Sequence, residues 1–241
     1  WSWGDFPNIH KVNIETPIAP VSCAQWFQYC ENLIVIENIN NLDTSNVVDM
    51  HAMFQGCNKL EFLDVVGFDT NNVTRMENMF DGCSELRNLD VSNFKTQNVT
   101  NMGAMFLDCG NLEVIDVRGF DTKNVTNFGY MFRGCTSVLE LDVRKFDTSK
   151  STSMRCMFMH CAKVKELDLS NFKTGNVTDV IEMFAHCTGL EKLNVDNFNT
   201  EKVEHFGSMF SHCCKLKELN LSSFSTSNAK DLGAMFRCCC S

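Results

Sequence analysis

The sequence predicts an α/β fold: a right-handed solenoid whose coils each pair a short parallel strand with a short helix. Three observations carry that expectation. A 26-residue block returns in phase from Leu63 to the chain end, each block holds an alternating "LDV"-type segment, and each then spaces apolar residues as a helix would. Self-similarity at such a fixed period marks an array in which neighbouring units share one core.

In chain order, residues 1–22 are expected to form an N-terminal cap and 23–241 the solenoid, a half coil plus about eight coils with the last one incomplete. The cap holds Pro7, Pro17 and Pro20, all the prolines of the chain, and is expected to cover the first coil. The half coil "WFQYCENL" matches "MFQGCNKL" in the next unit. A first full coil runs from Ile36 and is one residue longer, in "IENINNLDT". Leu63, Leu89, Ile115, Leu141, Leu167, Leu193 and Leu219 open the others.

Within a block, Leu89 and Val91 fall on one face of a strand and Asp90 on the other. Val73, Met76, Met79, Phe80 and Cys83 then follow at spacings of 3, 3, 1 and 3, one face of a helix. Thr74 with Glu77 reads as a capping box, and Gly82 suits the helix end. A helix of roughly two to three turns does not hold alone in water, so stacking on neighbouring coils has to stabilise it.

These blocks closely resemble a known family. The segment "LDVSNFKTQNVTNMGAMFLDC" is similar to the 26-residue repeat of BspA-like leucine-rich-repeat surface proteins, and the likeness runs over residues 24–241. The resemblance implies a leucine-rich-repeat solenoid and a cell-surface or secreted, adhesin-like protein that binds host or neighbouring-cell proteins. It implies no catalytic residue and no cofactor.

The columns carry whatever chemistry there is. Of 14 cysteines, Cys57, Cys83, Cys109, Cys135, Cys161, Cys187, Cys213 and Cys239 form one ladder, with Cys30 as its forerunner. Equivalent atoms about 4.8 Å apart on parallel vectors make a poor disulfide framework, so these thiols are expected as small buried hydrophobes. Met53 to Met235 and Phe54 to Phe236 are expected as core for the same reason. The Gly82 column drifts through His160, His186 and His212 to Cys238. Imidazoles at one-coil spacing are candidate metal ligands, and cations at a helix C-terminus are the alternative.

Asp64, Asp90, Asp116, Asp142 and Asp168 form a row on the outward strand face, beside Arg118, Arg144 and Lys145. This strip is the candidate binding surface, with the basic residues offsetting carboxylate repulsion in the middle. The alternative is that each Asp accepts backbone N–H groups in its turn. Phe62 and Val114 are the apolar residues that stand out in the flanking row. Sequons at Asn72, Asn98, Asn124, Asn176 and Asn220 follow from the repeat, whose Asn and Thr are expected to serve the turn.

Several classes are disfavoured. A net charge of −9 without a Lys/Arg cluster argues against nucleic acid as a partner. No apolar run approaches the length of a membrane span, and no signal peptide is visible in "WSWGDFPNIH". Catalytic fingerprints such as G-x-S-x-G and H-E-x-x-H do not occur, so an enzyme is not expected. The array stops at "MFRCCCS", mid-coil, which suggests truncation or end-to-end self-association through an uncapped coil. Two other readings remain open: an intracellular (cytoplasmic) scaffold or effector with free thiols, and a metal- or thiol-binding protein using His160 to Cys240.

Overall fold

A computed structural model of the chain describes residues 8–239. Trp1, Trp3 and Pro7 of the expected cap, and Cys240 at the other end, lie outside the described residues. Coils stack in parallel, one 26-residue period apart. Parallel bridges join Asp49 to Arg75, Arg75 to Asn101, Asn101 to Asn127, and so on through Ser153, Asp179 and His205 to Asp231.

Regular strands are few. The "LDV" position forms β3 (Glu166–Asp168) and β4 (Lys192–Asn194), paired in parallel with Leu167 opposite Leu193. Near the N-terminus β1 (Lys11–Asn13) pairs in parallel with β2 (Val35–Glu37), and Ile18 bridges Leu42 one coil on. The in-and-out alternation expected for these segments holds even where no ladder forms: Leu89 and Val91 are buried and Asp90 is exposed.

The expected helix is absent. Among the described residues the one helical element is a single 3-10 turn, Ile39–Asn41. In its place, alternate residues of the chain do different work. The N–H groups of Met50, Ala52, Phe54 and Gly56 donate across to the carbonyls of Arg75, Glu77, Met79 and Asp81 in the next coil, at 3.1, 2.8, 2.9 and 2.6 Å. Those of Met53, Gln55 and Cys57 donate back three residues, to Met50, Ala52 and Phe54, at 3.3, 3.2 and 3.1 Å. An α-helix would turn every N–H back upon its own axis and leave none for the neighbouring coil.

The backbone that allows this alternation is left-handed at two positions per coil. One holds Ala52, Asn78, Ala104, Tyr130, Cys156, Glu182, Ser208 and Ala234, at φ between 52° and 63°. The other is the Gly82 column, where Gly56, Gly82 and Gly134 sit at 73° to 74°. A turn closed three residues on with positive φ at its third residue is type II, which favours Gly there. Successive turns also return apolar residues every three positions, which is why their pattern imitated a helical face. Thr74 does not cap anything: its hydroxyl donates to the Val48 carbonyl at 3.1 Å, and Glu77 pairs with Arg75.

The core is the stack of inward columns. From Met53 to Met209 the Met column is fully buried, and the Cys column is buried from Cys57 to Cys213. Phe27, Phe54, Phe80, Phe106, Phe132, Phe158, Phe184, Phe210 and Phe236 stack ring upon ring, 5.5 to 5.8 Å between centroids.

Candidate functional site

The side chains facing inward leave little polar capacity unspent. Each ladder thiol donates to the carbonyl of a phenylalanine in the coil before: Cys57 to Phe27 at 3.1 Å, Cys109 to Phe80 at 3.1 Å, Cys187 to Phe158 at 3.0 Å. Cysteine therefore fills the column both as a small apolar group and as a weak donor. Burial pushes these thiols up, Cys213 to about 12 and Cys83, Cys109, Cys135 and Cys187 further.

The threonine column is a second ladder. Thr122 accepts the Asp147 N–H at 2.8 Å and donates to the Asp147 carbonyl at 3.1 Å, and Thr96 and Thr148 repeat this one coil either side. The sequon asparagines form a third. Asn72, Asn98, Asn124 and Asn176 donate from Nδ2 to Ser45, Asn71, Gln97 and Ser149 carbonyls at 2.8 to 2.9 Å.

On the outward strand face, Asp64, Asp90, Asp116, Asp142 and Asp168 each accept, through Oδ1, the N–H two residues on, at 3.0 to 3.3 Å. The row is thus a column of Asx turns. Its middle is also ion-paired. Arg118 forks onto Asp116 at 2.9 and 2.7 Å, and Arg144 onto Asp142 at 2.9 and 2.8 Å. The guanidinium hydrogen bonds hold both carboxyls at about 2. Asp90 is held below its ordinary range by the Ser92 hydroxyl and N–H. Lys145 is exposed and forms no ion pair among the described residues, so the expected offset comes from the two arginines alone. Two further Asx columns, through Asp69, Asp121 and Asp147 and through Asn101, Asn127 and Asp179, went unread in the sequence. Asp or Asn two residues before a turn amide was their signal.

The same face carries apolar side chains that nothing covers. Phe62, Val114 and Leu139 are 62%, 68% and 55% exposed, and Ile34 and Val66 are exposed beside them. Leu139 and Ile34 escape a column reading because charged residues occupy their places in most other coils. Shallow clefts open here between successive coils. One of about 360 Å³ lies between Glu37, Asn40, Phe62 and Asp64, and one of about 520 Å³ between Leu139, Asp142, Arg144 and Glu166.

The candidate metal ligands do not converge. His160, His186 and His212 sit in the left-handed turn position at φ 63°, 60° and 61°, with Asp108 and Cys238 in the same column at 53° and 54°. Histidine and aspartate tolerate this region better than most residues, which is why the glycine column can drift. The imidazoles stack face to face, 4.4 Å between His160 and His186 and 4.3 Å between His186 and His212. Stacked rings hold their nitrogens side by side, whereas a tetrahedral cage needs them aimed at one point. Among the described residues no group of three or more His, Cys, Asp or Glu side chains is placed to hold a metal ion. Neither do these histidines sit at a helix end, since no helix is there. Burial lowers His160, helped by Arg133 and opposed by Asp108 and Glu182. His186 is lowered by burial and then by its two imidazole neighbours.

Ladders that satisfy the interior and one outward face left open define a class: a repeat solenoid that presents an extended surface. The chain belongs to the family described as "Mycoplasma protein of unknown function, DUF285", whose model matches residues 21–139, 61–167, 108–193 and 137–241. Among solved structures it is similar to a leucine-rich repeat protein from Eubacterium ventriosum, at 17% identity and a TM-score of 0.47, covering 94% of this chain and 57% of that one. A leucine-rich repeat protein from Bacteroides ovatus is 17% identical, with a TM-score of 0.38 and coverage of 86% and 60%. The T. pallidum leucine-rich repeat protein is 19% identical, with a TM-score of 0.36 and coverage of 87% and 78%. The chain thus spans less than two thirds of the first two proteins' length. No curated protein matches it. No helix of the described residues is long and apolar enough to cross a membrane.

Proposed function

We propose that this solenoid is a non-enzymatic protein-binding module that takes its partner across the outward strand face, working as an adhesin-like protein at the cell surface. The observation that carries the reading is the set of exposed apolar side chains Phe62, Val114 and Leu139, with Phe62 and Leu139 lining clefts, on a face whose aspartates are spent on turns within each coil. Exposed apolar groups rimmed by charge are what an interface uses. The N-terminal half of this face is acidic, with Glu61, Asp64, Asp90 and Glu113 against Arg87, and favours a basic partner.

Other details agree. Cys156, whose thiol meets the Glu182 carboxylate at 3.4 Å, is pushed up to about 12 by burial first and by that carboxylate second. That is the opposite of an activated nucleophile. The ladder thiols are buried and held protonated, so their number does not oppose an oxidising location. The resemblance to BspA-like surface proteins supports the surface assignment by analogy of fold.

Selection from a random peptide display library on the immobilised protein tests this reading. Counter-selection uses a variant with Phe62, Val114 and Leu139 changed to Ser and Asp64 and Asp90 to Asn. We expect binders rich in Lys, Arg and apolar residues, weakened by salt and lost on the variant. Acidic binders, or binders the variant retains, would overturn it.

A further inference from the structure

We propose that the stacked imidazoles of His160, His186 and His212 form an acid-triggered release: protonation opens the turn edge of these coils, which stays closed at neutral pH. Centroid separations of 4.4 and 4.3 Å leave adjacent imidazolium ions no room to avoid each other while stacked. The charged groups around them are too few to compensate. Asp108 and Arg133 face His160 from the N-terminal side, and Arg133 opposes its protonation. Glu182 faces both His160 and His186, and it already accepts the Cys156 thiol. Beyond His212 lie Arg237, whose carbonyl accepts the His212 N–H at 2.7 Å, and thiols, with Cys214 donating to the His212 and Cys238 carbonyls at 3.4 and 3.3 Å.

The backbone here also carries a constraint. All three histidines hold the left-handed conformation that glycine occupies in other coils, so opening relieves a constraint that Gly56 and Gly82 do not have. Each His N–H donates across the coil boundary, His160 to Ala185, His186 to Ser211 and His212 to Arg237, at 2.8, 2.8 and 2.7 Å. Splaying the rings strains these bonds directly. The sign follows from burial. Burial makes His160 and His186 take up protons less readily than free imidazoles, so the opened state gains protons first as pH falls below the ordinary imidazole value of 6.5.

Opening uncovers Cys161, Cys187 and Cys213, whose thiols otherwise donate to the Phe132, Phe158 and Phe184 carbonyls. Cys57 makes the same bond to Phe27 in a coil without histidine at the column position, and serves as an internal standard. The test is labelling of the whole chain with a dipyridyl disulfide, which reacts in acid, followed by peptide mass spectrometry. We expect the Cys187 to Cys57 labelling ratio to rise about fivefold or more between about pH 7.5 and about pH 5.5, a window imidazoles titrate in and ordinary carboxylates do not. His186→Gln keeps a side chain of similar bulk without the charge and should flatten the ratio. A ratio that does not move in the native protein would overturn the proposal. So would a rise that persists undiminished in His186→Gln.

Discussion

Replacing Thr122 by Val removes one rung of the threonine ladder while keeping the shape of the side chain. Thr122 is 1% exposed, so valine's second methyl takes the hydroxyl's place inside the core. Two hydrogen bonds go, from the Asp147 N–H at 2.8 Å and to the Asp147 carbonyl at 3.1 Å. Each is worth about 0.5–1.5 kcal/mol net, and a backbone donor left without a partner adds a desolvation cost of about 1–3 kcal/mol when fully dry. The Asp147 amide is only partly buried, so a total of about 2–4 kcal/mol is expected. Thr122→Ser keeps both bonds and loses one methyl, about 1 kcal/mol. Urea denaturation followed by circular dichroism reads the difference as a shift in midpoint at unchanged slope. In a stacked array a weakened interface can let the two sides unfold separately, so a second transition in Thr122→Val would also report the lost rung. A valine variant within about 0.5 kcal/mol of the native protein would refute the reasoning, as would a serine variant equally destabilised.

Two further outcomes follow from the turn backbone and the thiols. Ser208 is left-handed at φ 56° and its N–H donates to the Gly233 carbonyl at 2.8 Å. Ser208→Gly relieves about 1–2 kcal/mol of left-handed strain against about 0.5–1 kcal/mol of added chain entropy, so the urea midpoint should hold or rise; in a helix it would fall. For the thiols, burial raises Cys213 to about 12 and the central ladder cysteines further, whereas an unfolded chain ionises them near their ordinary value of 9.0. A raised native pKa means stability is whole below the ordinary value and drains away above it. Under reducing conditions stability should be level through neutral pH and then fall faster than the ~1.4 kcal/mol per pH unit that one proton allows. Measured midpoints that stay flat up to about pH 10 would contradict a buried, protonated ladder.

Much of the architecture could be read in the columns. An unbroken row of Thr from Thr44 to Thr226, each 26 residues from the next, announces coils in register, and the burial of Met, Phe and Cys follows once the coils stack. The observed bonds show the Asx role of Asp64 to Asp168, which was one of two readings available. The helix was misread for a definite reason. Residues such as Ala52, Glu182 and Tyr130 carry no preference for positive φ, yet the chain holds them there. Their left-handed conformation is stabilised by N–H bonds to another coil, such as Ala52 to Glu77 at 2.8 Å, and no local window contains both partners. The histidine column turns on a similar point: spacing places three histidines within reach, but only ring orientation decides whether nitrogens converge.

By itself, then, the sequence determined the period, the register and the inward columns, because an invariant 26-residue spacing leaves one way to superpose like on like. What the tertiary structure decided was how the backbone travels between those columns. With a neighbour on either side, alternate amides bond across the coils, and the chain winds through left-handed turns in place of the expected helix. It also decided which side chains remain unspent. Phe62, Val114 and Leu139 lie open on one face, beside aspartates committed to turns within their own coils.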